Sequence, residues 1–196
     1  FDKFLIIRTN EMKESLRKLG ISDYICGNFS SRTLKDNIKR TYIEIKEIIS
    51  KKHIDTIFCP AYEGGHQDHD VSNFICSRLT SICKIYEFAE YNNAYNKVKS
   101  NVFIQKSINQ TIIELNPIEK KIKSDFLMIY ESEKKNLSYV ETKIESYRQL
   151  YPYDYSIPPH PGVLFYRRFR FFSWHPRVDE DHPLLICNKI KTSEIF

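Results

Sequence analysis

Along the first half of the chain, stretches with apolar residues at the helical period alternate with short, unbroken apolar runs. Over residues 2–19, Phe4, Ile7, Met12, Leu16 and Leu19 mark one helix face, and Gly20 stands where a C-cap would close it. "DYICG" (Asp23–Gly27) reads as a short strand. Residues 33–52 return to helical spacing through Leu34, Ile38, Tyr42, Ile45 and Ile49. "IDTIFCPA" is a compact apolar run bounded by Pro60 and predicts a buried strand. A helix over 70–83 (Val71, Phe74, Ile75, Leu79, Ile82) and a strand in "KIYEFAEY" follow. This alternation predicts βαβ units around a mainly parallel sheet, an α/β fold.

The second half has a different rhythm. "NVFIQKSINQTIIEL" (Asn101–Leu115) predicts two short strands around a turn. "NPIEKKIKSDFLMIYESEKK" opens with an Asn N-cap and Pro at the first helical position, a strong helix start. A further helix is expected over about 137–150. From Tyr151 onward the chain is rich in Pro and aromatics and reads as an irregular tail, 151–196. With no internal repeat and no linker, residues 1–196 are expected to form a single domain.

Composition narrows the function classes. A hydrophobic content of 41% fits a globular protein, and no stretch approaches the roughly 18 apolar residues of a spanning helix. Thirty Lys+Arg against 25 Asp+Glu give +5, spread along the chain, so no nucleic-acid arm is expected. The densest basic-aromatic run, "FYRRFRFF" (Phe165–Phe172), is expected to pack as an aromatic surface; RNA binding through it is a weaker third reading. Cys26, Cys59, Cys76, Cys83 and Cys187 include no C-x-x-C pair and predict reduced core thiols in a cytoplasmic protein.

The chemistry concentrates in "PAYEGGHQDHD" (Pro60–Asp70), which leaves the carboxyl end of a predicted strand and enters a helix. In open α/β sheets ligands bind in the crevice at that edge. Gly64 and Gly65 permit close backbone approach. His66 and His69, three apart, would share one side of a helix start as metal ligand or acid/base group, and Asp68 and Asp70 supply carboxylates to orient a ring. The plain alternative is a polar turn with Asp70 as a helix cap.

"YEGGHQDHD" resembles the second motif of the LmbE-like (PIG-L) zinc-dependent N-deacetylases, where G-H-x-D-H follows a strand. "RTNEMKESLRKLGI" (Arg8–Ile21) is similar to that family's R-x-x-E helix, and "YDYSIPPHPG" (Tyr153–Gly162) resembles a downstream segment of one bacterial branch. The resemblance implies a Rossmann-like fold with helices on both faces, and zinc-assisted hydrolysis of the acetamide of an N-acetylated amino sugar. It implies His69 as a zinc ligand. His66 would stabilise the oxyanion or protonate the leaving amine, with Asp68 fixing its tautomer. Arg8 and His160 would be substrate contacts, and Glu11 a structural partner within its helix.

One departure counts against full activity. The family's first strand ends in H-P-D-D-E, which carries a His and an Asp to the metal and a second Asp as general base. That motif is absent, and Ser30 and Ser31 stand about where another acid of the family belongs. Zinc is therefore expected in the complete protein and weakly, if at all, in this chain. The start at Phe1, inside a helix-like run, is expected to reflect truncation, with amino-terminal strand(s) missing. The rival reading is a non-catalytic sugar- or nucleotide-binding relic of the same fold. His175 and His182, with Asp179, Glu180 and Asp181, are expected in a solvated tail rather than as replacement ligands.

Overall fold

The structure is a computed structural model and describes residues 2–106, 109–168 and 181–195. Helix α1 (Asp2–Lys18) ends as its glycine predicts. Gly20 takes φ +70°, and the N–H groups of Gly20 and Ile21 return to the carbonyls of Arg17 and Leu16 at 3.1 and 2.9 Å. The predicted 33–52 helix is split. A 3-10 turn (Leu34–Asp36) is separated from α2 (Ile38–Lys52) by Asn37, whose φ of −128° interrupts the spiral. Strand β1 (Thr56–Pro60), helix α3 (Gln67–Ser77) and strand β2 (Lys84–Phe88) then form the one βαβ unit among the described residues.

A small hairpin, β3 (Tyr91–Asn92) and β4 (Lys99–Ser100), precedes β5 (Gln110–Glu114). Helix α4 (Pro117–Ile129) starts in a full capping box: Asn116 Oδ1 accepts from the N–H of Ile118 and Glu119, and Glu119 accepts from that of Asn116. A single turn, α5 (Lys134–Leu137), strand β6 (Ile144–Gln149) and helix α6 (Pro183–Lys191) complete the described elements.

The sheet order is β1-β2-β6-β5. β1 and β2 are parallel, whereas β6 runs antiparallel to both β2 and β5. The α/β class holds, but the mainly parallel sheet does not: one of the three pairings described in this sheet is parallel. The cause is β6, where a helix was expected. Its alternation turns Ser146 and Arg148 inward, and a buried arginine hides that alternation from any hydropathy pattern. Arg148 is only 2% exposed. Its Nε meets Glu87 Oε1 at 2.6 Å, its other nitrogens donate to the Gln105 carbonyl and the Tyr153 hydroxyl, and the Phe103 and Tyr151 rings flank it at 4.0 and 4.7 Å.

Three further expectations change. Asp23–Gly27 pairs with no described strand, and Tyr24 and Ile25 lie exposed. Of the two strands expected in 101–115, the described residues form one, β5. Asn101, at φ +55°, instead donates its side-chain amide to the carbonyls of Glu141 and Ile144. The tail is irregular from 151 to 164, but α6 is a true helix, with Pro183 in its first turn and Ile186, Cys187 and Ile190 buried.

The core lies between α2, α3 and the sheet. Val71, Phe74 and Ile75 of α3 pack with Ile38, Tyr62, Tyr155, Ile186 and Ile190, while Cys59, Cys76, Leu79, Cys83 and Ile85 fill the space below Ile49. Four cysteines are buried free thiols, as expected; Cys26 is exposed. Burying α3 on both sides fixes its amino end at the carboxyl edge of β1.

Candidate active site

The five residues after β1, Ala61 to Gly65, are all buried, so the turn is part of the interior and not a surface loop. Gly64 takes φ +70°, and a Cβ there would lie 2.8 Å from Leu164 Cδ2; a Cβ on Gly65 would collide with the Tyr91 carbonyl. Glycine is thus required at both places, by backbone angle at one and close approach at the other. His66 is the N-cap of α3, and its Nδ1 accepts the Asp68 N–H at 3.1 Å.

Four carboxylates hold the surrounding loops. Asp68 accepts from the backbone N–H of Arg32 (2.6 Å) and Leu34 (3.3 Å). Asp70, 1% exposed, accepts from those of Glu63 and Gly64 at 3.1 and 3.0 Å. Glu63, 4% exposed, accepts from Glu90 N, Tyr91 N and Asn92 Nδ2. Glu90 Oε2 lies 2.5 Å from His69 Nδ1. Burial drives the Asp70 carboxyl up to about 7 and that of Glu63 to about 8, against the pull of the N–H groups they accept.

The pKa values of the two histidines are pushed in opposite directions. Burial, reinforced by the charge of His69, lowers His66 to about 4, so it is neutral at pH 7. Because its Nδ1 accepts a backbone N–H, the proton of that neutral ring is on Nε2, which faces Ser31 Oγ at 3.4 Å. For His69, burial works downward, but the hydrogen bond and charge of Glu90 outweigh it and raise the pKa. Its Nδ1 faces Glu90 Oε2 at 2.5 Å, and in a neutral ring protonated on that side Nε2 keeps a lone pair. The ring centroids lie 5.2 Å apart.

The structure therefore brings His66, Asp68 and His69 together, with the Asp68 carboxylate spent on the 32–34 backbone and 3.8 Å from His66 Nδ1; it is the Asp68 N–H that sets the tautomer. Arg8 is placed elsewhere. It pairs with Glu11 (3.4 Å), approaches Glu133 and lies over the Tyr130 ring, while Glu11 takes the N–H and hydroxyl of Ser132. Those contacts dock α1 onto the turn after α4.

His160 is buried in the 157–164 segment, with Nδ1 bonded to the Pro161 carbonyl at 2.8 Å. Asp181 pairs with Lys35 at 2.5 Å and His182 caps α6; His175, Asp179 and Glu180 lie outside the described residues. So do Phe169–Phe172. Of the rest of that run, Arg168 stacks over Tyr139 and Phe165 and is packed.

Sequence reasoning missed Glu63 and Glu90. A signal existed for Glu90: it stands two residues beyond β2, which is parallel to β1 and so ends at the same sheet edge. Zinc fits these residues poorly. Among the described residues no group of three or more His, Cys, Asp or Glu side chains is placed to hold a metal ion, and catalytic zinc commonly takes three protein ligands.

Residues 2–80, about two-fifths of the chain, match the family model PIG-L, GlcNAc-PI de-N-acetylase. No curated protein and no solved structure matches the chain. The match spans α1 through α3 and ends just beyond the helix that carries both histidines.

Proposed function

We propose, from the match of residues 2–80 to the PIG-L family model, that the protein is a cytoplasmic, single-domain de-N-acetylase acting on GlcNAc-like substrates, cleaving the acetamide to acetate and a free amine. The observation that carries this reading is His66: a neutral ring with its N–H on Nε2, fixed by a helix-cap hydrogen bond at the crevice edge of the sheet. A neutral imidazole is a poor proton donor but a good hydrogen-bond donor, so His66 polarises the acetyl carbonyl and stabilises its oxyanion. That choice separates two roles the resemblance leaves open, and leaves protonation of the amine to another group.

His69, held by Glu90, offers Nε2 to the reacting region. Zinc, which the resemblance implies, would need more ligands than the described residues bring together. Attack by water also needs a base. Asp68, Asp70 and Glu63 are committed to backbone N–H groups and Glu90 to His69.

The same observation favours a second reading, a sugar-binding relic of the fold. Incubating the protein with zinc and N,N′-diacetylchitobiose and measuring released acetate separates the two. Turnover that falls 10²–10³-fold in His66→Ala, the scale for loss of an oxyanion donor, supports the hydrolase. Saturable sugar binding without acetate release would make it the relic.

A further inference from the structure

Away from the histidine turn, the 157–164 segment and the start of α6 enclose a groove of about 540 Å³, within the size range of small-molecule sites. The segment is held in place from below. Ile157 O accepts from the Tyr62 hydroxyl, Pro159 O from Gln105, Val163 O from Asn93, and the Phe165 N–H donates to Gly64 O. The opposite wall is fixed because α6 is docked through Ile186, Cys187 and Ile190. The walls of the groove are preformed, but His160 Nε2 has almost no accessible surface, so a ligand reaches it only by shifting its surroundings.

Its chemistry is specific. Pro158, Val163, Leu164 and Leu184 give apolar walls. His160, only 6% exposed, lines the same groove; its Nδ1 is used by Pro161, and its Nε2 is buried with no hydrogen-bond partner in the protein. With Nδ1–H donated to a carbonyl, Nε2 is an acceptor, and a buried acceptor left unmatched is costly. His182 and Arg167 line the groove as well; the His182 Nδ1 accepts the Leu184 N–H, so its neutral ring carries a donor on Nε2.

We propose that this groove binds an apolar ligand carrying a single hydrogen-bond donor, such as an alcohol, whose hydroxyl bonds to His160 Nε2. Leu164 also packs against Gly64, so the ligand would sit one side chain away from the histidine turn.

Methyl NMR on the full chain tests this with two probes of one shape, 1-hexanol and hexyl methyl ether. The alcohol should shift the methyl signals of Val163, Leu164 and Leu184 saturably and bind about 3- to 10-fold tighter than the ether, the scale of one net hydrogen bond. His160→Phe should erase that preference. Because this core change could unfold the segment, Leu184→Glu, at a 55% exposed position, serves as the second variant and should lose both probes while staying folded. Equal affinity of the wild type for alcohol and ether, no shift of the groove methyls, or unchanged binding by Leu184→Glu would each overturn the proposal.

Discussion

The histidine turn and helix α1 lie within the same family match yet are built differently. From Ala61 to Gly65 every residue is buried, and the acids around the turn each hold a neighbouring loop. In α1, Phe4, Leu5, Ile6 and Ile7 are each about half exposed, and the helix is tied down by polar contacts from Arg8 and Glu11. Family likeness in sequence thus says little about packing. The turn carries its own support, in buried carboxylates and glycines, whereas the apolar face of α1 gains little from the described residues. The chemistry belongs to the supported region.

The contrast can be broken most forcefully beneath the turn. Arg148→Ala would strand Glu87 without its ion pair in a site with no exposure, and denaturant unfolding should show a loss of about 3–5 kcal/mol. A loss below about 1 kcal/mol would mean that this network does not support the sheet. Next comes Gly65→Ala. The new methyl meets the Tyr91 carbonyl, which must move, at a cost of about 1–3 kcal/mol. Since Tyr91 adjoins Glu90, the NMR signals of the His69 ring should shift as well.

Glu63 gives a pH signature. Its carboxyl keeps a proton to about 8 in the folded chain but loses it near 4.5 when unfolded. Between those values the native state holds more protons, so this group's contribution is full below pH 4.5 and is lost as pH rises toward 8. His66, lowered to about 4 from 6.5, acts in the opposite sense between those two values. The difference between wild type and Glu63→Gln isolates the acid: unfolding free energies measured from pH 5 to 8 should fall more steeply in the wild type, and parallel curves would contradict this. The smallest effect is expected on α1, where Ile6→Lys, at a 59% exposed position, should change stability by no more than about 0.5 kcal/mol. A large loss there would erase the distinction between the two regions.

What was legible in the sequence follows the same line. α1, β1, α3, β2 and α4 announce themselves through periodicity, caps and a glycine stop, and the G-H-x-D-H segment marks the turn. β6 was unreadable because its inward positions are Ser146 and Arg148, and the arginine is made compatible with the interior by Glu87, Phe103 and the Gln105 carbonyl, all remote in sequence, together with Tyr151 and Tyr153. Glu90 was missed for a related reason: its value to His69 exists only once β2 pairs with β1. The role of Asp68 reversed in detail, since pattern alone does not tell a carboxylate from the N–H of the same residue.

The proposed chemistry depends most on a neutral His66 ring protonated on Nε2, beside a His69 whose Nδ1 faces Glu90. Long-range ¹H–¹⁵N NMR of the histidine side chains at pH 7 reads both rings directly. The prediction is a neutral His66 protonated on Nε2, with the His69 proton on Nδ1 toward Glu90. A His66 ring that is charged, or protonated on Nδ1, would contradict the account, because it could not accept the Asp68 N–H and present an N–H to the substrate at the same time.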